Sequence, residues 1–312
     1  IQSVVDSINN GITPIYEKNL NEFLIDVLGD KLEATTDIKY AVENSEISII
    51  AVGTPFTEGK IDLEYVKEAA YDIGMVLKEK KDYHVVCVKS TVIPTTTDTI
   101  VLNILEVASG KKLGEFGLVM NPEFLREGNA VEDFMNPDRI IIGTIDDTSF
   151  DVFSKIYKDY FSAPIIRTNT RTAEMIKYAT NALLATLISF SNEIAAVSEE
   201  IGDIDAVEVL EGVHMDRRLS VNIDGKLIKP DIVKYLKPGR GFGGSCFPKD
   251  VKSIISFSES LGYVPRILKS VIEVNDFQTE RLLNLLKEKI GELNSKSITV
   301  LGLSFKPGTD DI

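Results

Sequence analysis

The sequence predicts an α/β fold: a doubly wound parallel sheet, incomplete at its N-terminal end, followed by an all-helical central domain and a stub of a third α/β domain. Three observations carry this. Short Ile- and Val-rich runs alternate with amphipathic stretches over residues 1–168. The strand signal then stops from about 170 to 290. It restarts in "NSKSITVLGLSF" (294–305), seven residues before the end of the chain.

Within 1–168 the expected strands are "EISIIAVG" (46–53), "HVVCVKS" (84–90), "FGLVMNP" (116–122), "RIIIGT" (139–144) and "PIIRT" (164–168). Apolar runs this short suit strands buried on both faces of a parallel sheet. Helices are expected between them at 62–80, 95–108 and 147–160. Repeated βαβ order places ligands beyond the strand carboxyl ends. The loops to inspect are therefore "GTPF" (53–56), "STVIP" (90–94) and "NPEFLREG" (121–128). Ile1, Val4, Val5 and Ile8 already follow a helical spacing, and no G-x-G-x-x-G follows a strand candidate. A nucleotide domain of this kind opens with strand, glycine turn and helix, so a βαβ unit of roughly 30 residues is expected upstream.

Residues 171–202 read as one long amphipathic helix without interior Gly or Pro, stopped at Gly202. Such a helix can pair with its copy across a two-fold axis, so a homodimer is expected. Further helices are expected near 204–212, 250–262 and 266–290. The expected domains are thus 1–168, 169–292 and 293–312.

With 312 residues, 44 % of them hydrophobic, the chain can bury a substantial core. A net charge of −14 argues against nucleic acid or an anionic membrane surface as partner. No apolar run approaches the ~18 residues of a membrane span, and "IQSVVDSINN" is not signal-like. Two cysteines do not make a disulfide framework, which points to a reducing cytoplasm. No metal is expected.

The stretch "YLKPGRGFGGSCFPKD" (235–250) carries the chemistry. Gly239, Gly241 and Gly244 stand at G-x-G-x-x-G, yet a dinucleotide fingerprint follows a strand and opens a helix. This one follows Lys237-Pro238 in the helical half. Its glycines read better as backbone able to lie against a flat polar ligand. Pro248 suits a helical first turn, which puts Cys246 just before the helix, where the dipole and Lys249 favour a thiolate. A buried structural cysteine is the alternative, and for Cys87, inside "HVVCV", it is the preferred reading. A Cys–His hydrolase would need His84 or His214 beside Cys246, and the sequence places neither there. Lys177 and Asn181 are spaced i, i+4 on the long helix, so both leave one face; a solvated face is the alternative.

"PGRGFGGSCFPKD" resembles the active-site signature of the UDP-glucose/GDP-mannose dehydrogenase family. The likeness continues in "VGTP" (52–55), "KSTV" (89–92), "NPEFLREG" (121–128), Lys177 with Asn181, "EVN" (273–275) and "GLSFKPGTDD" (302–311). The cysteine block differs from the GGHC form of UDP-N-acetylmannosamine enzymes and lies nearer the UDP-glucose and GDP-mannose branch, with "LKPGRGFGGSCFPKDV" most similar to the UDP-glucose enzymes. The resemblance implies a Rossmann-like domain and oxidation of a nucleotide-sugar C6 alcohol to the carboxylate, with two hydride transfers to NAD. UDP-glucose going to UDP-glucuronate is the expected reaction, with GDP-mannose the alternative substrate.

By the same resemblance Cys246 traps the aldehyde, Lys177 and Asn181 stabilise the oxyanion, and Glu123 is the general base for thioester hydrolysis. Thr91 and Asp250 position water, although Asp250 reads equally well as a first-turn helix carboxylate. The sugar nucleotide is expected against Glu123, Phe124, Leu125, Arg126 and Glu127, against Lys237, Gly241, Phe242 and Gly243, and against Phe305 and Lys306. NAD is expected at Val52, Gly53, Thr54, Pro55, Ser90, Thr91, Glu127 and Lys249. An arginine reaching the partner subunit's substrate is either Arg217 or Arg218, because "VNIDGKLIKPD" lengthens the interval after them. The family's phosphate loop and ribose-binding acid are expected upstream of Ile1, so this stretch alone is expected to bind NAD weakly or not at all. Two other readings stay open: a single-step β-hydroxyacid dehydrogenase, which has no use for a cysteine, and a dimerising scaffold without chemistry.

Overall fold

A computed structural model describes residues 1–304, 306 and 309. The chain divides into two compact units, the first built on Ile1–Lys177 and the second on Tyr178–Leu303. The division falls inside the long helix Thr170–Ile201.

The first unit is a five-stranded sheet in the order Ile47–Ile50, Val85–Val88, Gly117–Met120, Ile140–Thr144, Ile165–Thr168. Each expected strand forms, trimmed at its ends. Val85 to Val88 are all fully buried, as strands covered on both faces require. Alternation sorts the side chains. Val86 and Val88 join Leu118, Met120 and Ile141 beneath the helices Glu64–Leu77 and Leu102–Ser109. Val85 and Cys87 join Val119, Ile140 and Ile142 beneath the helix Asp147–Lys158, against Phe153 and Tyr157. Close approach is enforced at Gly143, where a Cβ would come within 2.7 Å of the Ala173 Cβ and 2.8 Å of the Asn169 carbonyl.

One link departs from the all-parallel expectation. Gly117–Met120 pairs antiparallel with Ile140–Thr144, whereas the other three joints are parallel. A parallel return needs a crossover of a dozen or more residues, usually a packed helix. Between these strands lies "NPEFLREG" and a six-residue helix, Ala130–Met135, with no buried residue. It cannot pack back over the sheet, so the chain re-enters in the opposite direction.

In the second unit, the long helix is capped by Asn169, whose Oδ1 accepts from the Thr172 N–H at 2.8 Å, and ends at Gly202 with φ +79°. Beyond Asn181 its buried side chains are small, among them Ala182, Ala185, Ser189, Asn192 and Ala195. Helices Phe247–Ser260 and Arg266–Ile290 complete this unit's core through Val251 and Val271. The all-helical expectation is corrected by a hairpin, Val221–Ile223 with Lys226–Ile228. Its turn is Asp224-Gly225, both with positive φ, the combination a two-residue hairpin demands. A second such hairpin, Phe56–Thr57 with Lys60–Ile61, turns at Glu58-Gly59 in the first unit. The expected strand at 294–305 does not form over its described residues: Ile298, Val300, Leu301 and Leu303 are exposed and unpaired in any ladder. A strand needs a neighbour for its backbone groups, and no described strand supplies one.

Candidate active site

Glu123 leaves the Gly117–Met120 strand through Asn121-Pro122. Its Oε1 accepts from Lys177 Nζ at 2.8 Å, and its Oε2 accepts from the Leu125 N–H at 2.6 Å. Lys177 is buried, so the solvated-face alternative does not hold. The Phe124 ring lies 4.2 Å from the Arg139 guanidinium and 5.6 Å from Lys177 Nζ. Leu125 is at the margin of exposure. The Arg126 guanidinium grips Asp133 with two nitrogens, at 2.6 and 3.0 Å. At the far end of the loop, buried Glu17 accepts from the Gly128 N–H at 2.6 Å. Glu127 is half-buried.

The loops after the first two strands are tied to each other. Ser90 Oγ donates to the Val52 carbonyl at 2.7 Å, and Thr54 Oγ1 donates to the Thr91 carbonyl at 2.8 Å. Gly53, between Val52 and Thr54-Pro55, has nothing within 4 Å of its Cβ direction. Open backbone at strand carboxyl ends suits a dinucleotide. Glu174, fully buried one turn before Lys177, accepts from the Thr95 and Thr97 N–H groups at 2.7 and 2.8 Å. Burial pushes its carboxyl up to about 7.

The second unit carries the thiol. Cys246 is exposed and is the N-cap of Phe247–Ser260, with Pro248 in the first turn. The buried-structural alternative is thereby removed for Cys246. Cys87 is the core cysteine, its thiol pushed up to about 12 by burial. One turn after Cys246, the Asp250 N–H donates to the Cys246 carbonyl at 2.9 Å. Asp250 is buried, accepting from Asn181 Nδ2 and from Lys249 Nζ at 2.6 Å each. It is a first-turn carboxylate, as the alternative reading had it, and it is buried rather than solvated. Asn181 is itself buried, so helix position and hydrogen bond together fix Asp250 on the thiol's side of its helix.

The glycine loop is suspended from two asparagines: Asn192, which sequence reasoning did not single out, and Asn275, to which it gave no role. Asn192 Oδ1 accepts from the Gly239 N–H at 2.8 Å. Asn275, of "EVN", accepts from the Phe242 N–H at 2.7 Å and donates to the Phe242 carbonyl at 3.1 Å. At Gly241, φ +89°, a Cβ would collide with Asn275 Oδ1, so only glycine fits. Gly243 is half-buried beside it. A buried amide amid apolar helix positions was the available signal for Asn192. Lys237 lines a cavity of about 260 Å³ shared with His214, Lys229 and Lys234. Arg218 is clamped by Asp216, whose carboxyl its hydrogen bonds hold well below the usual range. Arg217 is exposed and makes no hydrogen bond or ion pair among the described residues. Phe305 lies outside the described residues; Lys306 is half-buried, its carbonyl accepting from the Thr309 hydroxyl at 2.9 Å. His84 is a core group bonded to Ser48 and Ser45, with burial pushing it down to about 4. His214 is the last residue of the helix Ala206–His214.

The sheet unit is of the class that holds dinucleotides at its strand ends. Residues 2–161 match the NAD-binding domain of the UDP-glucose/GDP-mannose dehydrogenase family, and residues 171–277 match that family's central domain. The chain belongs to this family. It is 42 % identical over 317 residues to UDP-glucose 6-dehydrogenase AglM of Haloferax volcanii, covering 100 % of this chain and 70 % of the relative. It is 38 % identical to the GDP-mannose 6-dehydrogenase of Pseudomonas savastanoi pv. phaseolicola, covering 99 % of this chain and 67 % of that one. Among solved structures, a UDP-glucose dehydrogenase from Pyrobaculum islandicum superposes with a TM-score of 0.90 at 40 % identity, covering 100 % of this chain and 69 % of that one. The chain thus spans about two thirds of the length of the relatives it matches.

Proposed function

We propose that the protein is an NAD-dependent nucleotide-sugar 6-dehydrogenase, with UDP-glucose as substrate and UDP-glucuronate as product. The observation that carries the reading is an exposed thiol at a helix N-terminus, one turn from a buried carboxylate bonded to Asn181. When bound, NAD accepts the hydride in each of the two oxidations; Val52, Gly53, Thr54, Pro55, Ser90 and Thr91 would hold it. Lys177 and Asn181 polarise the C6 oxygen, and Lys177 stabilises the negative charge that develops as the C6 hydroxyl proton passes to solvent water. The Cys246 thiolate adds to the aldehyde carbon, forming a thiohemiacetal, which the second oxidation converts to a thioester. Glu123 takes a proton from water as it attacks the thioester carbon; the C–S bond breaks, restoring the thiolate and releasing the carboxylic acid, which loses its proton to solvent. A thiol that must cycle free fits a reducing compartment, the cytoplasm. With Arg218 held by Asp216, Arg217 is the arginine available to a sugar nucleotide in a partner subunit.

Assay of the protein with NAD and each sugar nucleotide tests this. Two NADH should form per UDP-glucose consumed, with a carboxylate product by mass spectrometry and slower turnover of GDP-mannose. One NADH per sugar, stopping at the aldehyde, would instead favour a single-step dehydrogenase.

The protein also acts as a homodimer in this reading. On the long helix, Leu183, Leu187, Phe190, Ile194, Val197 and Ile201 form a seam at alternating four- and three-residue steps. Leu183, Phe190, Val197 and Ile201 are exposed. That spacing is the self-complementary pattern of paired helices. Light scattering should give twice the chain mass, and Phe190→Glu should give a folded monomer; a parent monomer at micromolar concentration would remove the dimer.

A further inference from the structure

A second lysine stands in the Glu123 neighbourhood with no part in the chemistry above. Lys89 opens "KSTV", at the carboxyl end of the Val85–Val88 strand. Its Nζ donates to Asn121 Oδ1 at 2.9 Å and to the Tyr157 hydroxyl at 3.4 Å. Asn121 is buried: its Oδ1 also accepts from the Tyr157 hydroxyl at 2.6 Å, and its Nδ2 donates to the Ile141 carbonyl at 2.7 Å. One amide thus ties the ends of three strands and a helix. The antiparallel joint makes this possible, because it brings the amino end of Ile140–Thr144 to the carboxyl end of Gly117–Met120. Two residues beyond Asn121 is Glu123.

Lys89 is half-buried, and an ammonium partly withdrawn from water is costly unless its setting compensates. Among the described residues no carboxylate forms an ion pair with Lys89, and Asn121 and Tyr157 are its hydrogen-bond partners. Burial pushes its pKa below the ordinary value, Cys87 and Glu123 act to raise it, and Lys177 acts to lower it. A Leu or Met would fill the same space at lower cost. Neither could donate to Asn121 Oδ1 and the Tyr157 hydroxyl together, as the Lys89 ammonium does.

The geometry points to Lys89 as a positioning residue for the proposed dehydrogenase: its ammonium clamps Asn121, fixes the departure of the 121–128 loop from the sheet, and so aims the Glu123 carboxylate. The role rests on the function proposed above, in which Glu123 drives the hydrolytic step.

The test uses Lys89→Met and Lys89→Arg in the protein, with two readouts. Hydrogen–deuterium exchange, measured without substrate, reads the loop: Lys89→Met should speed exchange in the 121–128 peptide at least about tenfold, while peptides of the helical unit stay unchanged. Lys89→Arg, which keeps a charged donor, should preserve protection. In turnover, Lys89→Met should lower kcat about tenfold or more with KM within about twofold, and intact mass spectrometry of quenched enzyme should show the sugar acyl adduct on Cys246 accumulating. Lys89→Arg should restore kcat to within about threefold. Parent-like loop exchange in Lys89→Met, or an unchanged kcat, overturns the role. So does exchange that rises equally everywhere, which would mark Lys89 as generally structural. Where Lys89→Met does not fold, a folded Lys89→Arg that has lost loop protection overturns it, and one that keeps it supports it. A parent that oxidises neither sugar nucleotide counts against the proposed function, while the exchange result still decides the clamp.

Discussion

Cys246→Ala should halt the reaction midway. Net NADH formation should fall at least about 10³-fold, because a nucleophile acting within a unit cannot be replaced by its neighbours. The first oxidation needs no sulfur, so rapid mixing should still show a burst approaching one NADH per site, with aldehyde bound or released. The melting temperature should stay near that of the parent, since the side chain is exposed and packs no core. The same variant separates the competing readings. Steady two-step turnover without the thiol would return the protein to a mechanism with no covalent stage.

Lys177→Met should cost both rate and stability. Losing one oxyanion-stabilising donor typically lowers kcat by about 10²–10³, and the deficit should appear in the first NADH as well as the second. Stability should drop by about 1–3 kcal/mol, the cost of leaving Glu123 without its partner, read as a lower denaturant midpoint. Lys177 is nearly enclosed while Glu123 keeps about a quarter of its side chain in water, which holds the loss below that of a sealed ion pair. Adding Glu123→Gln should recover most of the stability and none of the rate. Recovery of both would mean that the pair serves the fold alone.

Much of this site could be read before any coordinates. The run "GSCFPKD" fixes a thiol at a helix start, because Pro248 tolerates only the first turn and every residue between is local. Lys177 and Asn181 follow from helical periodicity alone. The two hairpins were equally local, since Glu58-Gly59 and Asp224-Gly225 are turn pairs with a stated mechanism. They were missed because strand runs of two or three residues barely interrupt a helical pattern. The antiparallel joint was less legible. Strand direction depends on whether the intervening segment can pack as a crossover, and "NPEFLREG" is an irregular loop rather than a packing helix.

By itself, then, the sequence determined the order of strands and helices, the place of the thiol and the face of the long helix that carries Lys177. These depend on interactions within a few residues, whose geometry periodicity and capping set. The tertiary structure alone decided which distant polar groups meet: Asn192 and Asn275 with the glycine loop, Glu17 with Gly128, and Lys89 with Asn121. A hydrogen bond between groups tens of residues apart costs nothing to write into a sequence and leaves no period there. It exists only once packing has removed water and left a donor and an acceptor a single partner each.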